Sequence, residues 1–181
     1  MITLRNYRSR DFDELWRIDQ ECFREGIAYS RRELAWYMKR ARAFTLVAEE
    51  VPQKAPKQAR KQSPRQKASG NIAGFVVAES DPSGVGHILT IDVRPACQRS
   101  QIGSLLLRAA EARLVEARCE ASLLETAVDN LPALAFYKRH GYSIIETIPR
   151  YYLDSLDALV MGKRLAAPAG AKVSRIKAKK T

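Results

Sequence analysis

Apolar and polar positions along this 181-residue chain fall into short blocks whose period switches between two and 3.6 residues. Ile2–Tyr7 alternates and predicts a first strand. Phe12, Leu15, Trp16 and Cys22 then recur at helical spacing, and Asp11 with Glu14 three residues later predicts a capping box opening that helix. Ser30 with Glu33 repeats the signature for a shorter helix to about Arg40. The runs Phe44–Glu49, Ile72–Glu79 and His87–Val93 read as strands. Ile102, Leu105, Leu106, Ala109 and Ala110 lie on one face of a helix reaching Arg118. A strand at Ser122–Ala127 precedes a helix opened by Asn130 and Pro132 and stopped by Gly141. Tyr142–Ile148 and Ala158–Lys163 complete the series as strands. The order β-α-α-β-β-β-α-β-α-β-β predicts an α/β fold, a mixed sheet with helices on both faces.

Composition narrows the setting. The length suits one domain. No apolar run reaches the roughly 18 residues a membrane span needs, and the first residues lack a secretory pattern, so no membrane is expected and the cytoplasm is the expected compartment. Cys22, Cys97 and Cys119 are dispersed, odd in number and without ligand spacing, so neither a disulfide framework nor a metal site is predicted. The net charge of +11 belongs to two stretches. Residues 51–69 carry six basic groups and residues 166–181 carry five, neither with an acid; the rest of the chain is balanced. Both are low in complexity and free of aromatic residues, so they are expected to be a disordered insertion in a hairpin and a disordered tail on a domain spanning residues 1–165. Without aromatic interleaving, any contact they make with ribosome or RNA would be electrostatic and weak.

The stretch Ile91–Leu107 carries the most chemistry. A strand ends at Pro95 and a polar loop enters a helix N-terminus, where unpaired N–H groups and the helix dipole can hold a pyrophosphate. Gln98 and Arg99 can assist, and Gly103 is expected to let a ligand approach the backbone. An ordinary helix entry fits the physics equally well.

The loop, read as Gln98-Arg-Ser-Gln101-Ile-Gly103, resembles the acetyl-CoA signature of the GNAT acetyltransferases, Gln/Arg-x-x-Gly-x-Gly/Ala. Gln101 stands where that pattern has its first glycine, and a side chain there is expected to crowd the pyrophosphate or force another loop path. Asn130-Leu-Pro-Ala-Leu-Ala-Phe-Tyr137-Lys-Arg-His-Gly141-Tyr142 is similar to the family's second signature. Within the family the chain looks most like the N-terminal protein acetyltransferases of the RimI, ribosomal-protein-alanine type. Leu124-Glu125 before Asn130, Arg150-Tyr151-Tyr152, and Asp157-Ala-Leu-Val-Met161 carry that likeness, although Ala127 replaces an expected arginine and no spacer follows Arg150.

The resemblance implies a mixed, mostly antiparallel sheet of about seven strands, acetyl-CoA as cofactor, and transfer of acetyl to a primary amine. It assigns cofactor contacts to Val93, Gln98, Arg99, Ser100, Gln101, Ile102, Gly103, Ser104, Asn130 and Tyr137. An amine must be neutral to attack a thioester, which gives Glu125 the role of general base and Tyr137 that of acid to the departing thiolate. At pH 7 an α-amine costs about 1.0–1.4 kcal/mol to deprotonate against about 4.6 for lysine, which favours a protein N-terminus. Phe23, Tyr29, Tyr151 and Tyr152 are expected to flank the acceptor, whereas His87 and His140 read as structural. Two alternatives stay open: a small-molecule amine as acceptor, which acidic residues in the acceptor groove would favour, and a ribosome- or RNA-associated module with a weakened cofactor site.

Overall fold

The computed structural model describes residues 1–51 and 71–165. The expected basic insertion and tail lie outside the described residues, Val51 excepted. The chain builds β1 (Ile2–Asn6), α1 (Phe12–Cys22), α2 (Arg31–Met38), β2 (Ala43–Glu50), β3 (Asn71–Ser80), β4 (Val85–Val93), α3 (Ile102–Glu116), β5 (Ala121–Ala127), α4 (Leu131–Arg139), β6 (Ser143–Tyr152) and β7 (Leu156–Arg164). They form a seven-stranded sheet in the order β1-β2-β3-β4-β5-β7-β6. Every neighbouring pair is antiparallel except β4 with β5.

Helical spacing decides which side of the sheet each helix covers. Ile102, Leu106, Leu107, Ala110 and Leu114 of α3 are buried against Val76, Ile88 and Leu124, together with Leu134 and Tyr137 of α4. On the other face Leu15 and Ile18 of α1 and Leu34 of α2 pack on Val47, Phe75 and Val77. Both clusters exclude water from side chains worth about 1.5–3 kcal/mol each when fully buried.

The two capping boxes fare differently. At α2, Ser30 Oγ accepts the Glu33 N–H at 3.2 Å and Glu33 Oε2 accepts the Ser30 N–H at 2.8 Å. At α1 the expected box does not form, because both carboxylates are engaged elsewhere. Asp11 accepts Arg5 Nη1 at 2.7 Å and the Arg8 N–H at 2.8 Å, while Glu14 pairs with Arg94 and Arg17. Charged partners, two of them from other elements, take the carboxylates in place of the box. The sixth strand also runs beyond its expected end at Ile148, with an irregular register between Ile148 and Tyr152, so Arg150, Tyr151 and Tyr152 lie within it.

One feature of the sheet makes room for a site. The parallel β4–β5 pairing is confined to Val85–His87 against Ala121–Leu123, after which β5 follows β7 along its full length. Beyond His87 the two central strands part. A register shift on β3–β4 leaves Leu89 as an extra residue opposite Val77 and Ala78, bending β4 at the mouth of the gap.

Candidate active site

Below the end of β4 the chain makes a short helical turn at Pro95–Cys97 and enters α3 through a loop that holds two non-glycine residues in the left-handed region, Arg99 (φ 59°) and Gln101 (φ 65°). Gln101 thus takes a left-handed conformation, which a glycine adopts more readily. The first bond of the helix runs from Leu105 N to Gln101 O at 3.0 Å, so the N–H groups of Ile102, Gly103 and Ser104 have no acceptor in the helix. Two expected side-chain contributors are used within the loop: Gln98 Nε2 donates to Val93 O at 3.1 Å, and the Ser100 hydroxyl donates to Cys97 O. Gly103 serves packing as well as access, since a Cβ there would lie 3.4 Å from the Phe136 ring of α4.

These N–H groups face a cleft of about 630 Å³ lined by Arg99, Gln101, Ser104, Arg108, Phe136 and Arg139 among others. Free amides at a helix start, flanked by three guanidinium groups, fit a polyanionic ligand such as the pyrophosphate of acetyl-CoA. Sequence reasoning missed Arg108 and Arg139. Arg108 was within reach of it, being one turn beyond Ser104 on the same helix face. Asn130, expected at the cofactor, caps α4 by accepting the Ala133 N–H at 3.2 Å and also lines the cleft.

Val93 sits where the strands part. Arg94 N bonds Ala73 O at 2.9 Å, which makes Val93–Gly74 a non-hydrogen-bonded pair and turns the Val93 N–H and C=O away from β3 into the gap. The carbonyl is taken by Cys22 Sγ at 3.3 Å and by Gln98, leaving the N–H for a ligand. Tyr137 comes up from α4 between this cleft and a second one, lining both. It is 9% exposed, and burial together with the nearby Asp92 pushes its phenol well above the ordinary range, so it holds its proton.

The second cleft, about 1110 Å³, opens on the other side of the gap between the α1–α2 loop and the β6–β7 hairpin. Phe23, Tyr29, Tyr37, Tyr151 and Tyr152 line it, with Glu125 among the β5 residues at its floor. Tyr29 and Tyr37 meet at a tilt with ring centroids 5.1 Å apart, and Tyr151 and Tyr152 meet edge to face at 4.9 Å. The two walls touch. A Cβ on Gly26 would fall 2.1 Å from Leu153 Cδ2, so that exposed side chain would have to turn aside, and the φ of +84° itself favours glycine. Arg24 and Asp129 add an exposed ion pair at 3.1 Å between the loop and the β5–α4 turn.

Glu125 is not free. Its Oε2 lies 2.6 Å from His87 Nε2, where β4 and β5 begin to separate. Sequence reasoning gave His87 a structural role; the structure places it on the carboxylate, and both also line a separate furrow of about 560 Å³ with Arg40, Arg42 and Asp81. Nothing local in the sequence links two residues 38 apart; the short parallel pairing brings them together. The other histidine, His140, bonds Phe136 O at 2.8 Å and borders the cofactor cleft.

A splayed sheet with an amide-rich helix start on one side of the gap and an aromatic groove with a floor carboxylate on the other defines an acyl-transfer enzyme of two-sided access. The model of the acetyltransferase (GNAT) family matches residues 12–142, and the chain belongs to that family. It is an N-acetyltransferase and uses acetyl-CoA. An uncharacterized N-acetyltransferase of Methanocaldococcus jannaschii is 29% identical over 164 residues, covering 90% of this chain and 92% of the relative. An N-alpha-acetyltransferase of Sulfurisphaera tokodaii is 26% identical, over 90% of this chain and 92% of its own. Among solved structures, the ribosomal-protein-S18-alanine N-acetyltransferase of Escherichia coli superposes with a TM-score of 0.74 at 20% identity, covering 97% of this chain and all of that one.

Proposed function

We propose that this acetyltransferase acts on the N-terminal α-amine of a protein, by direct attack of that amine with Glu125 as base and Tyr137 as acid. The observation that carries the reading is the placement of Glu125 at the floor of an aromatic groove, across the gap from the phosphate-binding loop. The groove is an open furrow between two loops, suited to an extended chain end flanked by Tyr29, Tyr151 and Tyr152. The likeness to an N-alpha-acetyltransferase over nine-tenths of the chain supports the same acceptor.

Acetyl-CoA, when bound, supplies an activated acetyl thioester. The chain's own groups do the rest. Glu125 takes a proton from the ammonium, and His87 Nε2–H, 2.6 Å away, donates to the carboxylate and fixes its orientation at the edge of the furrow. The Val93 N–H, directed into the gap, donates to oxygen that gains negative charge. The Tyr137 hydroxyl, kept protonated by burial, donates to the departing sulfur.

A second reading rests on the charge of the groove. Glu25, Glu33, Glu125 and Asp129 line it against one cation, Arg24, itself paired with Asp129. That balance favours polycationic amines. A peptide array with free and blocked N-termini, run beside polyamines and lysine peptides, separates the readings. Acetylation confined to free N-termini supports the first, and turnover of polyamines with none of peptides overturns it.

A further inference from the structure

The furrow beside the His87–Glu125 pair takes no part in the proton transfers above, yet it continues the acceptor groove. Three elements run through both cavities in the same order. Helix α2 puts Glu33 and Tyr37 on the groove, and Arg40, just past its end, on the furrow. Strand β4 puts Leu89 on the groove and His87 and Val85 on the furrow. Strand β5 puts Leu123 on the furrow and Glu125 on both, so the catalytic carboxylate marks the junction.

An extended chain whose amine reaches Glu125 has two ways out. The way between the walls is bridged, by Leu153 against Gly26 and by the Arg24–Asp129 ion pair. The way along β4 leads into the furrow, about 560 Å³. From Leu89 to Val85 the strand rises about 13 Å, room for about four extended acceptor residues beyond Glu125.

Charge changes along this path. Glu25, Glu33, Glu125 and Asp129 stand at the amine end. The furrow brings Arg40 and Arg42, with Glu79 and Asp81 beside them. Glu79 is engaged by Arg40 at 3.0 Å, and the Trp36 and Tyr37 rings hold the same guanidinium, with centroids 5.0 and 6.0 Å away. Asp81 accepts the Ser83 N–H at 2.8 Å. Arg42 is exposed and makes no ion pair among the described residues, so it is the guanidinium a ligand can claim. We infer that the furrow is a downstream subsite of the acceptor: it takes residues beyond the second of an extended protein N-terminus, and Arg42 favours an acidic side chain among them. A polycationic amine does not match a trough that passes from carboxylates to a free guanidinium.

This subsite rests on the proposed acceptor reading, and steady-state assays on peptides of three and eight residues with a common N-terminal sequence distinguish the two. The octapeptide should have an acceptor KM lower by about fivefold or more, with the KM of acetyl-CoA the same for both. A glutamate at one of its third to sixth residues should lower KM by about threefold relative to lysine, a preference that high salt weakens and Arg42→Glu reverses. Ala41→Trp, at an exposed position lining the furrow, should bring the octapeptide and tripeptide KM values together. A benzophenone on the fifth residue of the octapeptide should label the stretches Arg40–Arg42 and Asp81–Ser83, which peptide mapping reads without relying on any variant. Equal KM values at both lengths in the parent, or labelling confined to the α1–α2 loop and the β6–β7 hairpin, overturn the subsite and leave the acceptor reading standing. No turnover of either peptide overturns the acceptor reading and the subsite with it.

Discussion

Gln101 stands at φ 65°, a conformation that costs a residue with a Cβ about 1 kcal/mol or more and a glycine almost nothing. Gln101→Gly removes that cost but adds freedom to the unfolded chain worth about 0.4–1 kcal/mol, so the two terms nearly cancel. Stability should change by less than about 1 kcal/mol, and acetyl-CoA affinity by no more than about threefold, because Gln101 already holds a left-handed conformation that a glycine adopts without strain. Gln101→Val sets the opposite condition. A β-branched residue is a genuine outlier in the left-handed region, so the loop must turn away and the N–H groups of Ile102–Ser104 lose their alignment. Affinity should fall at least tenfold, with a loss of about 1–2 kcal/mol in stability. Calorimetric titration of acetyl-CoA together with melting curves in its absence reads both quantities. Tightening of binding by more than tenfold in Gln101→Gly would mean that the glutamine side chain obstructs the pyrophosphate, and unchanged affinity in Gln101→Val would mean that the loop conformation is immaterial; either refutes the reasoning.

Other consequences are equally direct. Glu125→Gln should lower kcat by about 10²–10⁴ while leaving acetyl-CoA binding intact, and His87→Ala should lower it less; rapid-quench turnover and titration separate chemistry from binding. Tyr137→Phe should slow release of the thiol with little change in the melting temperature, since the ring keeps its packing and only the hydroxyl facing the clefts is lost. Gly26→Ala, which sets a Cβ against Leu153 in a left-handed conformation, should raise the acceptor KM and spare that of acetyl-CoA in steady-state assays. At the far edge of the sheet, burial pushes the Asp11 carboxyl up, but Arg5 and the Arg8 N–H together hold it below the usual range. Its contribution is complete above about pH 4 and lost as pH falls through its folded value. Arg5→Met should therefore destabilise by about 3–5 kcal/mol at pH 7, and urea midpoints should converge on the parent's in acid.

Local pattern wrote most of the scaffold. Eleven elements in order, the Ser30 cap, the stop at Gly141 and the two signatures around Gln98–Ser104 and Asn130–Tyr142 depend on spacings of two to four residues and on backbone chemistry that operates within one turn. Through the family resemblance that the two signatures carry, it is enough to expect an acetyl-CoA fold and to put Glu125 and Tyr137 forward as candidates. What depends on residues far apart was not readable. Asp11 and Glu14 have the spacing of a capping box, yet Asp11 is held by Arg5 and the Arg8 N–H and Glu14 by Arg94 and Arg17, and two of those four partners come from other elements. His87 meets Glu125 because β4 and β5 pair over three residues and then separate. Asp19 and Asp92 look like ordinary polar residues of a helix and a strand until the sheet closes over them. Sequence by itself determined which elements form and which chemistry the loops can carry, since both follow from local geometry. Tertiary structure alone decided which side chains share a proton, which carboxyls are stripped of water and which loops wall the groove, since these depend on burial and distance between segments the chain holds tens of residues apart.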